Sequence, residues 1–185
     1  MKILVVVDMQ NAFLPGSLGT KEAQAIVPNV KKKIDEAVQN GDVIVYTRDT
    51  HYEDYLNTRE GKKLPVEHCI MNSDGWKIPV ELMTPVDYPR SWVCNKNTFG
   101  FYTLPYELSV RSGVLGITMD KIAEIELVGL CTDICVVSNA LLLKSYFYND
   151  LEISVDATCC AGVTPESHEA ALKTMEMCQI NVKRG

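Results

Sequence analysis

Short apolar runs alternate with longer amphipathic segments along most of this chain of 185 residues. Runs rich in β-branched residues are typical of buried strands, and apolar positions that recur at the helical period are typical of helices. Strands are predicted at residues 3–8, 43–47, 92–95, 126–130 and 152–157, with a weaker one at 179–182. Helices are predicted at residues 21–39, 102–112, 133–148 and 165–177.

The predicted strands are almost continuously apolar, as strands covered on both faces must be. Their alternation with helices predicts an α/β fold of three layers, a doubly wound and mostly parallel sheet with helices on both faces. Asn40-Gly41 is a typical helix end. Thr164 is expected to cap the last helix, with Pro165 at its first position.

Residues 51–90 interrupt this alternation with a long polar segment rich in Pro, Gly and charge. Loops of that length are usually functional or disordered. The presence of His68, Cys69 and Trp76 argues against disorder. We therefore expect residues 1–185 to form a single domain, with an insert or lid at about residues 51–90.

Composition and charge narrow the class of protein. The chain is 46% hydrophobic and 23% charged, as is usual for a globular domain. A formal net charge of −6 argues against a nucleic-acid partner, which would require a basic face. The first apolar run is too short for a signal peptide and ends in Asp8, and no run approaches the length that spans a membrane. We expect a cytoplasmic protein with no membrane partner.

The chain has seven cysteines, an odd number that argues against a disulfide framework. Cys94 and Cys178 lie in apolar segments, so we expect both to be small buried side chains. Cys159 and Cys160 are interpreted as buried turn residues. His168 falls in the last predicted helix and is expected at the surface.

Polar side chains end three of the predicted strands. Asp8 ends the first strand, and Lys96 follows the third. Cys135 follows the fourth, after a short turn that begins the next helix. The ends of parallel strands share one edge of a sheet, so these side chains can converge. The helix N-terminus and Lys96 favour a thiolate, and Asp8 can accept the thiol proton, so the residues predict a cysteine nucleophile.

Three motifs carry a resemblance to a known family. They are Val7-Asp8-Met9-Gln10-Asn11-Ala12-Phe13, Lys96 with a following aromatic, and Gly129-Leu130-Cys131-Thr132-Asp133-Ile134-Cys135-Val136. In this order and spacing the chain resembles the cysteine hydrolases of the isochorismatase-like superfamily, above all the nicotinamidase/pyrazinamidase group. The resemblance implies an isochorismatase-like, Rossmann-like fold and hydrolysis of a linear amide C–N bond. Among individual reactions, the resemblance favours conversion of nicotinamide to nicotinate and ammonia.

The resemblance also assigns catalytic roles. It implies a catalytic triad of Asp8, Lys96 and Cys135. It implies a cis peptide bond between Leu130 and Cys131, and an oxyanion hole formed by the N–H groups of Cys131 and Cys135.

The substrate pocket fits the family pattern less well. Phe13 and Phe99 match aromatic residues that line the pocket in the family. Nicotinamidases usually carry a second large aromatic just before the last metal-binding histidine, and here Leu64 is the nearest substitute. The hydrolase interpretation does not depend on that aromatic.

A second group of polar residues suggests a metal site. Asp49 and His51 follow the second strand, and Glu60 and His68 lie beyond them. Two imidazoles and two carboxylates suit Zn²⁺, Fe²⁺ or Mn²⁺, although on the residues alone a loop-capping role is equally open. The resemblance favours a divalent metal, with zinc first. In nicotinamidases such an ion holds the pyridine nitrogen while the thiol does the chemistry.

Two alternatives stay open at this point. The first is another hydrolase of the same superfamily that acts on an N-carbamoyl or other small amide, with the insert as a lid. The second is a redox-sensing or binding protein that uses Cys131, Cys135, Cys159 and Cys160, although Cys-x-x-x-Cys is not the usual redox spacing. Relatives are often oligomeric, so a homo-oligomer is expected.

Overall fold

The computed structural model describes residues 1–148 and 150–185 and places six strands in one parallel sheet. The strands are β1 (Lys2–Val7), β2 (Val43–Asp49), β3 (Ser91–Lys96), β4 (Glu124–Leu130), β5 (Glu152–Ala161) and β6 (Asn181–Lys183). Their order in the sheet is β3-β2-β1-β4-β5-β6. The predicted α/β class is confirmed. The strand order reverses between β1 and β4, which is where ligands bind in open α/β sheets.

Helices cover both faces of the sheet. They are α1 (Lys21–Ala25), α2 (Val27–Asn40), α3 (Leu104–Val114), α4 (Val137–Phe147) and α5 (Pro165–Met177). Alternate residues of β1 point to opposite faces, so Leu4 packs with α1 and α2 while Val5 packs with α3, α4 and α5. Two apolar cores therefore hold the sheet rigid, and its carboxyl edge is the place where polar side chains meet.

One predicted helix is divided in the structure, and two predicted helix ends are confirmed. The single helix predicted over residues 21–39 is two helices, α1 and α2, divided at Ile26. Pro28 lies in the first turn of α2, where its missing N–H is tolerated, but it cannot continue a preceding helix. The expected helix end is present, with Gly41 at φ 69°, and Thr164 caps α5 in a reciprocal bond pair with Ser167.

Three cysteines lie elsewhere than expected. Cys159 and Cys160 belong to β5 rather than to a turn, because β5 continues past a register shift and pairs Cys160 with Gly129. Both thiols are buried. Cys178 is exposed, not buried, because it follows the last turn of α5. All seven cysteines are free thiols.

The segment between β2 and β3 contains two short 3-10 turns, Tyr55–Asn57 and Val80–Leu82. A bridge between His51 and Ile70 links two parts of the segment. The N–H groups of Asn11 and Ala12, just after β1, donate to its Lys77 and Gly75 carbonyls, each at 2.9 Å. Trp76 donates its indole N–H to Thr50 Oγ1 at 2.9 Å. The single-domain assignment and the lid role stay predictions. Across residues 1–148 and 150–185, every helix is too short or too polar to cross a membrane.

Candidate active site

The structure brings Asp8, Lys96 and Cys135 together at the carboxyl edge of the sheet. Lys96 Nζ lies 2.6 Å from Asp8 Oδ2 and donates to Cys135 Sγ at 3.6 Å. All three side chains are buried. A carboxylate, an ammonium and a thiol in mutual contact and away from water form a unit capable of nucleophilic chemistry.

The backbone at the end of β1 turns sharply to aim Asp8 at this cluster. Asp8 has a φ of 48°, in the left-handed region that a non-glycine residue seldom adopts. Thr47 of β2 holds it there, because its hydroxyl donates to Asp8 Oδ1 at 2.7 Å. The Asp8 N–H also donates to the Thr47 carbonyl oxygen at 3.2 Å. The position of the carboxylate is therefore fixed by the neighbouring strand.

The segment after β4 presents the thiol. The Leu130–Cys131 peptide bond is cis, and Thr132–Val136 forms one turn of π-helix. The Val136 N–H donates to the Cys131 carbonyl at 3.0 Å, five residues back. The α-helix predicted from residue 133 thus begins only at Val137. Cys135 sits on this wider turn, a feature that is frequent at functional sites.

The surroundings of Cys135 disfavour its thiolate form. Burial raises the pKa of Cys135 well above its usual range and the nearby Asp8 carboxylate raises it further, while Lys96 opposes both. The expected lowering by Lys96 is therefore outweighed. Burial also raises the pKa of Asp8 despite the ion pair with Lys96. Burial lowers the pKa of Lys96, but neighbouring negative charge, that of Asp8 first, raises it by more, which favours the ammonium form.

A second cluster lies beside the first. Asp49, His51 and His68 each offer one ligand atom, and these atoms lie within 4.8 Å of one another. The Asp49 Oδ2 atom is 3.0 Å from His51 Nε2 and 3.5 Å from His68 Nε2. Glu60 Oε1 is 3.6 Å from His51 Nε2 and 4.0 Å from His68 Nε2. The four residues predicted as ligands are thus brought together.

The chemistry of this donor set fits a divalent cation. Ligand bonds of about 2.0–2.2 Å place neighbouring ligand atoms roughly 3–4 Å apart. The Asp49 and Glu60 oxygens lie 3.0–4.0 Å from the two histidine Nε2 atoms. His68 Nδ1 donates to the Val66 carbonyl at 2.8 Å, which leaves Nε2 as the free acceptor. Among the residues with described side chains, His51 Nε2 is a buried atom without a hydrogen-bond partner. The pKa of Asp49 is lowered, because His51, His68 and Lys96 together outweigh its burial.

One cavity of about 280 Å³ joins the two clusters. Cys135 and Cys131 line one part, and Asp49, Glu60 and His68 line another. The walls between them include all three side chains predicted to bind substrate, which are Phe13, Leu64 and Phe99. A small molecule in this cavity can contact the thiol and the histidine cluster together.

Several buried polar residues at the site were not singled out from the sequence. Gln10 bonds both backbone groups of Asp49, accepting from its N–H at 2.7 Å and donating to its carbonyl at 2.9 Å. Asn139 of α4 bonds the Cys135 carbonyl. A polar residue inside a motif or an apolar helix is the signal that could have identified them.

His168 is not a simple surface residue, contrary to expectation. Its Nδ1 lies 2.8 Å from Thr132 Oγ1, and its side chain is mostly covered. The residue belongs to α5, whose N-terminal segment passes close to the thiol turn. The pattern of apolar and polar positions along α5 does not indicate this contact, because the contact depends on how α5 docks on the sheet.

The fold and the site together define a class, the doubly wound α/β proteins with a buried cysteine at the point where the strand order reverses. Residues 2–183 match the model of the isochorismatase domain family. The chain belongs to this family.

Known relatives agree with that membership. The chain is 26% identical over 211 residues to a nicotinamidase of Schizosaccharomyces pombe, covering 97% of this chain and 91% of the relative. It resembles the structure of a Pyrococcus horikoshii pyrazinamidase in complex with zinc, with a TM-score of 0.79, 26% identity and coverage of 100% and 99%. It also resembles an N-carbamoylsarcosine amidase from Thermoplasma acidophilum, with a TM-score of 0.77, 28% identity and coverage of 100% and 96%.

Proposed function

We propose that this protein is an amide hydrolase that uses Cys135 as its nucleophile and converts nicotinamide to nicotinate and ammonia. The observation that carries the proposal is the single cavity that joins the Cys135 thiol to the cluster of Asp49, Glu60 and His68. Similarity to a nicotinamidase and to a zinc-bound pyrazinamidase over nearly the whole chain supports this substrate class.

The first half of the reaction forms a thioester. Asp8 accepts the thiol proton as Cys135 Sγ attacks the carboxamide carbon. The N–H groups of Cys131 and Cys135 stabilise the oxyanion, each by roughly 3 kcal/mol. Asp8 then passes its proton to the leaving nitrogen, the C–N bond breaks and ammonia departs.

The second half hydrolyses the thioester. Asp8 accepts a proton from water, whose oxygen attacks the acyl carbon. The C–S bond breaks, the carboxylic acid is released and the proton returns to Cys135. Lys96 balances the negative charge that alternates between Asp8 and the sulfur, because its ammonium contacts both.

The residues at the other end of the cavity orient the substrate. Asp49, His51, Glu60 and His68 would hold a divalent cation, with zinc first and iron or manganese also compatible. Such an ion, when bound, would supply a Lewis-acid contact to a ring nitrogen of the substrate. Phe13 and Phe99 offer aromatic faces to the ring, and Leu64 offers an aliphatic one.

Ammonia release from nicotinamide tests the proposal. We expect turnover by the metal-loaded protein, loss on chelator treatment and recovery when zinc is added. Replacing Cys135 with Ala should lower kcat on the order of 10⁴-fold or more. The matched control is Cys178→Ala, which removes an exposed thiol at the C-terminal end of α5. The N-terminal end of α5 is the one close to the Cys135 turn, so this variant should leave turnover unchanged.

Other outcomes would redirect or reject the proposal. Full ammonia release by Cys135→Ala would exclude the thioester mechanism. Turnover of an N-carbamoyl amide but not of nicotinamide would keep the cysteine hydrolase and replace the substrate. The cytoplasmic location and the homo-oligomer expected from the sequence stay predictions.

A further inference from the structure

Asn139 is a fully buried amide in an apolar stretch of α4, one turn after Cys135. Its Nδ2 donates to the Cys135 carbonyl at 2.7 Å and to the Phe99 carbonyl at 3.2 Å. Its Oδ1 accepts from the Phe101 N–H at 2.9 Å. Both kinds of polar atom in the side chain are therefore satisfied, as burial requires.

These bonds connect two parts of the site that are distant in sequence. The Cys135 carbonyl belongs to the π-turn that presents the thiol. Phe99 and Phe101 belong to the loop that follows Lys96, and Phe99 lines the substrate cavity. One side chain thus spans from the nucleophile turn to a wall of the pocket.

Close packing holds the same loop against α4 independently of Asn139. A Cβ atom on Gly100 would lie 2.9 Å from Leu142 Cδ1 and 3.1 Å from Ser138 Cβ. The loop backbone therefore rests directly on the helix. Phe99 itself is half exposed, so it depends on its backbone for its position.

We infer that Asn139 is a positioning residue for the proposed amide hydrolysis, locking the Phe99 loop to the Cys135 turn. The inference rests on the roles proposed above for Cys135 and Phe99. The bond to Cys135 fixes the nucleophile and should act on kcat. The two bonds to the loop fix the pocket wall and should act on KM.

Two substitutions separate these effects. Asn139→Ala removes all three bonds. Asn139→Thr keeps a hydroxyl that can bond the carbonyl four residues back but is too short to reach the loop. We expect Asn139→Ala to lower kcat/KM by about 10- to 100-fold through both constants, as small misplacements do. Asn139→Thr should raise KM and lose less kcat than Asn139→Ala.

A double substitution tests whether Asn139 affects KM through the position of Phe99. In a Phe99→Ala background, Asn139→Thr should raise KM no further, because the side chain that it positions is gone. The control is Asn29→Ala, which removes an amide bonded to Thr158 far along the chain and should change neither constant. A purely structural role for Asn139 would lower Tm without this separation of kcat from KM.

Alkylation of Cys135 tests, without any amide substrate, whether Asn139 holds the Cys135 turn in place. We expect iodoacetamide to label Cys135 about 10-fold faster in Asn139→Ala, because a loosened turn exposes a thiol that is otherwise buried. Exposed Cys178, quantified in the same digest, is the internal reference.

The outcomes separate the two proposals. Failure of the wild type to hydrolyse nicotinamide, with faster Cys135 labelling in Asn139→Ala, would reject the substrate and keep the lock. Unchanged labelling, or unchanged kcat and KM in a folded Asn139→Ala, would overturn the inference. Additive increases in KM in the double variant would also overturn it.

Discussion

The basicity of Asp8 is set by its immediate neighbours. Its carboxylate is buried, which raises its pKa, and the Lys96 ammonium and the Thr47 hydroxyl lower it. Thr47 does not line the cavity, yet its hydroxyl donates to the carboxylate that would accept the thiol proton. A residue of this kind adjusts the pH range of the reaction without taking part in it.

Replacing Thr47 with Val therefore should move the pH dependence of turnover. The variant loses a donor to the ionised carboxylate, so the pKa of Asp8 rises. Since Asp8 acts as a base only when ionised, the acid limb of kcat/KM against pH should move to higher pH. The lost bond should also cost about 1–3 kcal/mol of unfolding free energy.

Exposed Thr118→Val is the control for this measurement. An acid limb that stays in place or moves to lower pH would contradict the assignment of Asp8 as the base. The experiment needs only a working assay and does not depend on the identity of the amide.

A functional residue can be identified from the sequence when its polarity differs from that of the neighbouring residues. Asp8, Lys96 and Cys135 stand at the ends of apolar runs, where burial makes polar side chains conspicuous. Thr47 is an ordinary polar residue in its local sequence, and its partner Asp8 lies 39 residues away. Asn139 is a polar exception in an apolar helix, but its partner Phe99 lies 40 residues away. Their importance arises only when distant segments dock.

At the scale of elements, the passage from β4 to α4 controls the thiol. Gly129 in β4 has a φ of 115°, and a Cβ there would lie 2.2 Å from the Val7 carbonyl oxygen. This close approach of β4 to β1 brings the ends of the two strands together, one residue before Asp8. The glycine is therefore needed by the sheet and by the site.

Gly129→Ala should destabilise the protein by about 3 kcal/mol or more, since it adds a backbone clash to a conformation that side chains rarely adopt. Gly113 in α3 is a matched control, because a Cβ there meets no atom within 4 Å. Gly113→Ala should be neutral or stabilise by up to about 1 kcal/mol. Urea unfolding of both variants checks this, and a difference between them below about 1 kcal/mol would refute it.

The same elements explain the limits of the sequence prediction. Strands β1, β2 and β4 were predicted within two residues, because continuous apolar runs have no competing interpretation. β5 extends four residues beyond its predicted end, because Cys159 and Cys160 were interpreted as turn residues whereas the strand continues across a register shift. The π-turn had no local signal, since its widening follows from how the chain leaves β4.

For the whole molecule, the cluster of Asp49, His51, Glu60 and His68 connects the sheet to the long segment before β3. Asp49 ends β2, and His51 lies two residues later, while Glu60 and His68 come from deeper in the segment. A cation held by all four would tie this segment down at one wall of the cavity. Ion binding and the order of the segment should therefore be coupled.

Thermal unfolding with and without zinc tests this coupling. A ligand that binds only the folded state at about 1,000 times its Kd stabilises by roughly 4 kcal/mol, which corresponds to a rise in Tm on the order of 10 °C for a chain of this size. Zinc added to chelator-treated wild type should produce such a rise and slow proteolysis between residues 52 and 67.

His68→Ala should abolish both effects, because it removes a ligand and the attachment of the segment. Asp74→Ala, an exposed acidic residue of the same segment, should keep both. An equal Tm rise in wild type and His68→Ala would show that zinc binds elsewhere. The histidine cluster would then not hold an ion at the wall of the cavity.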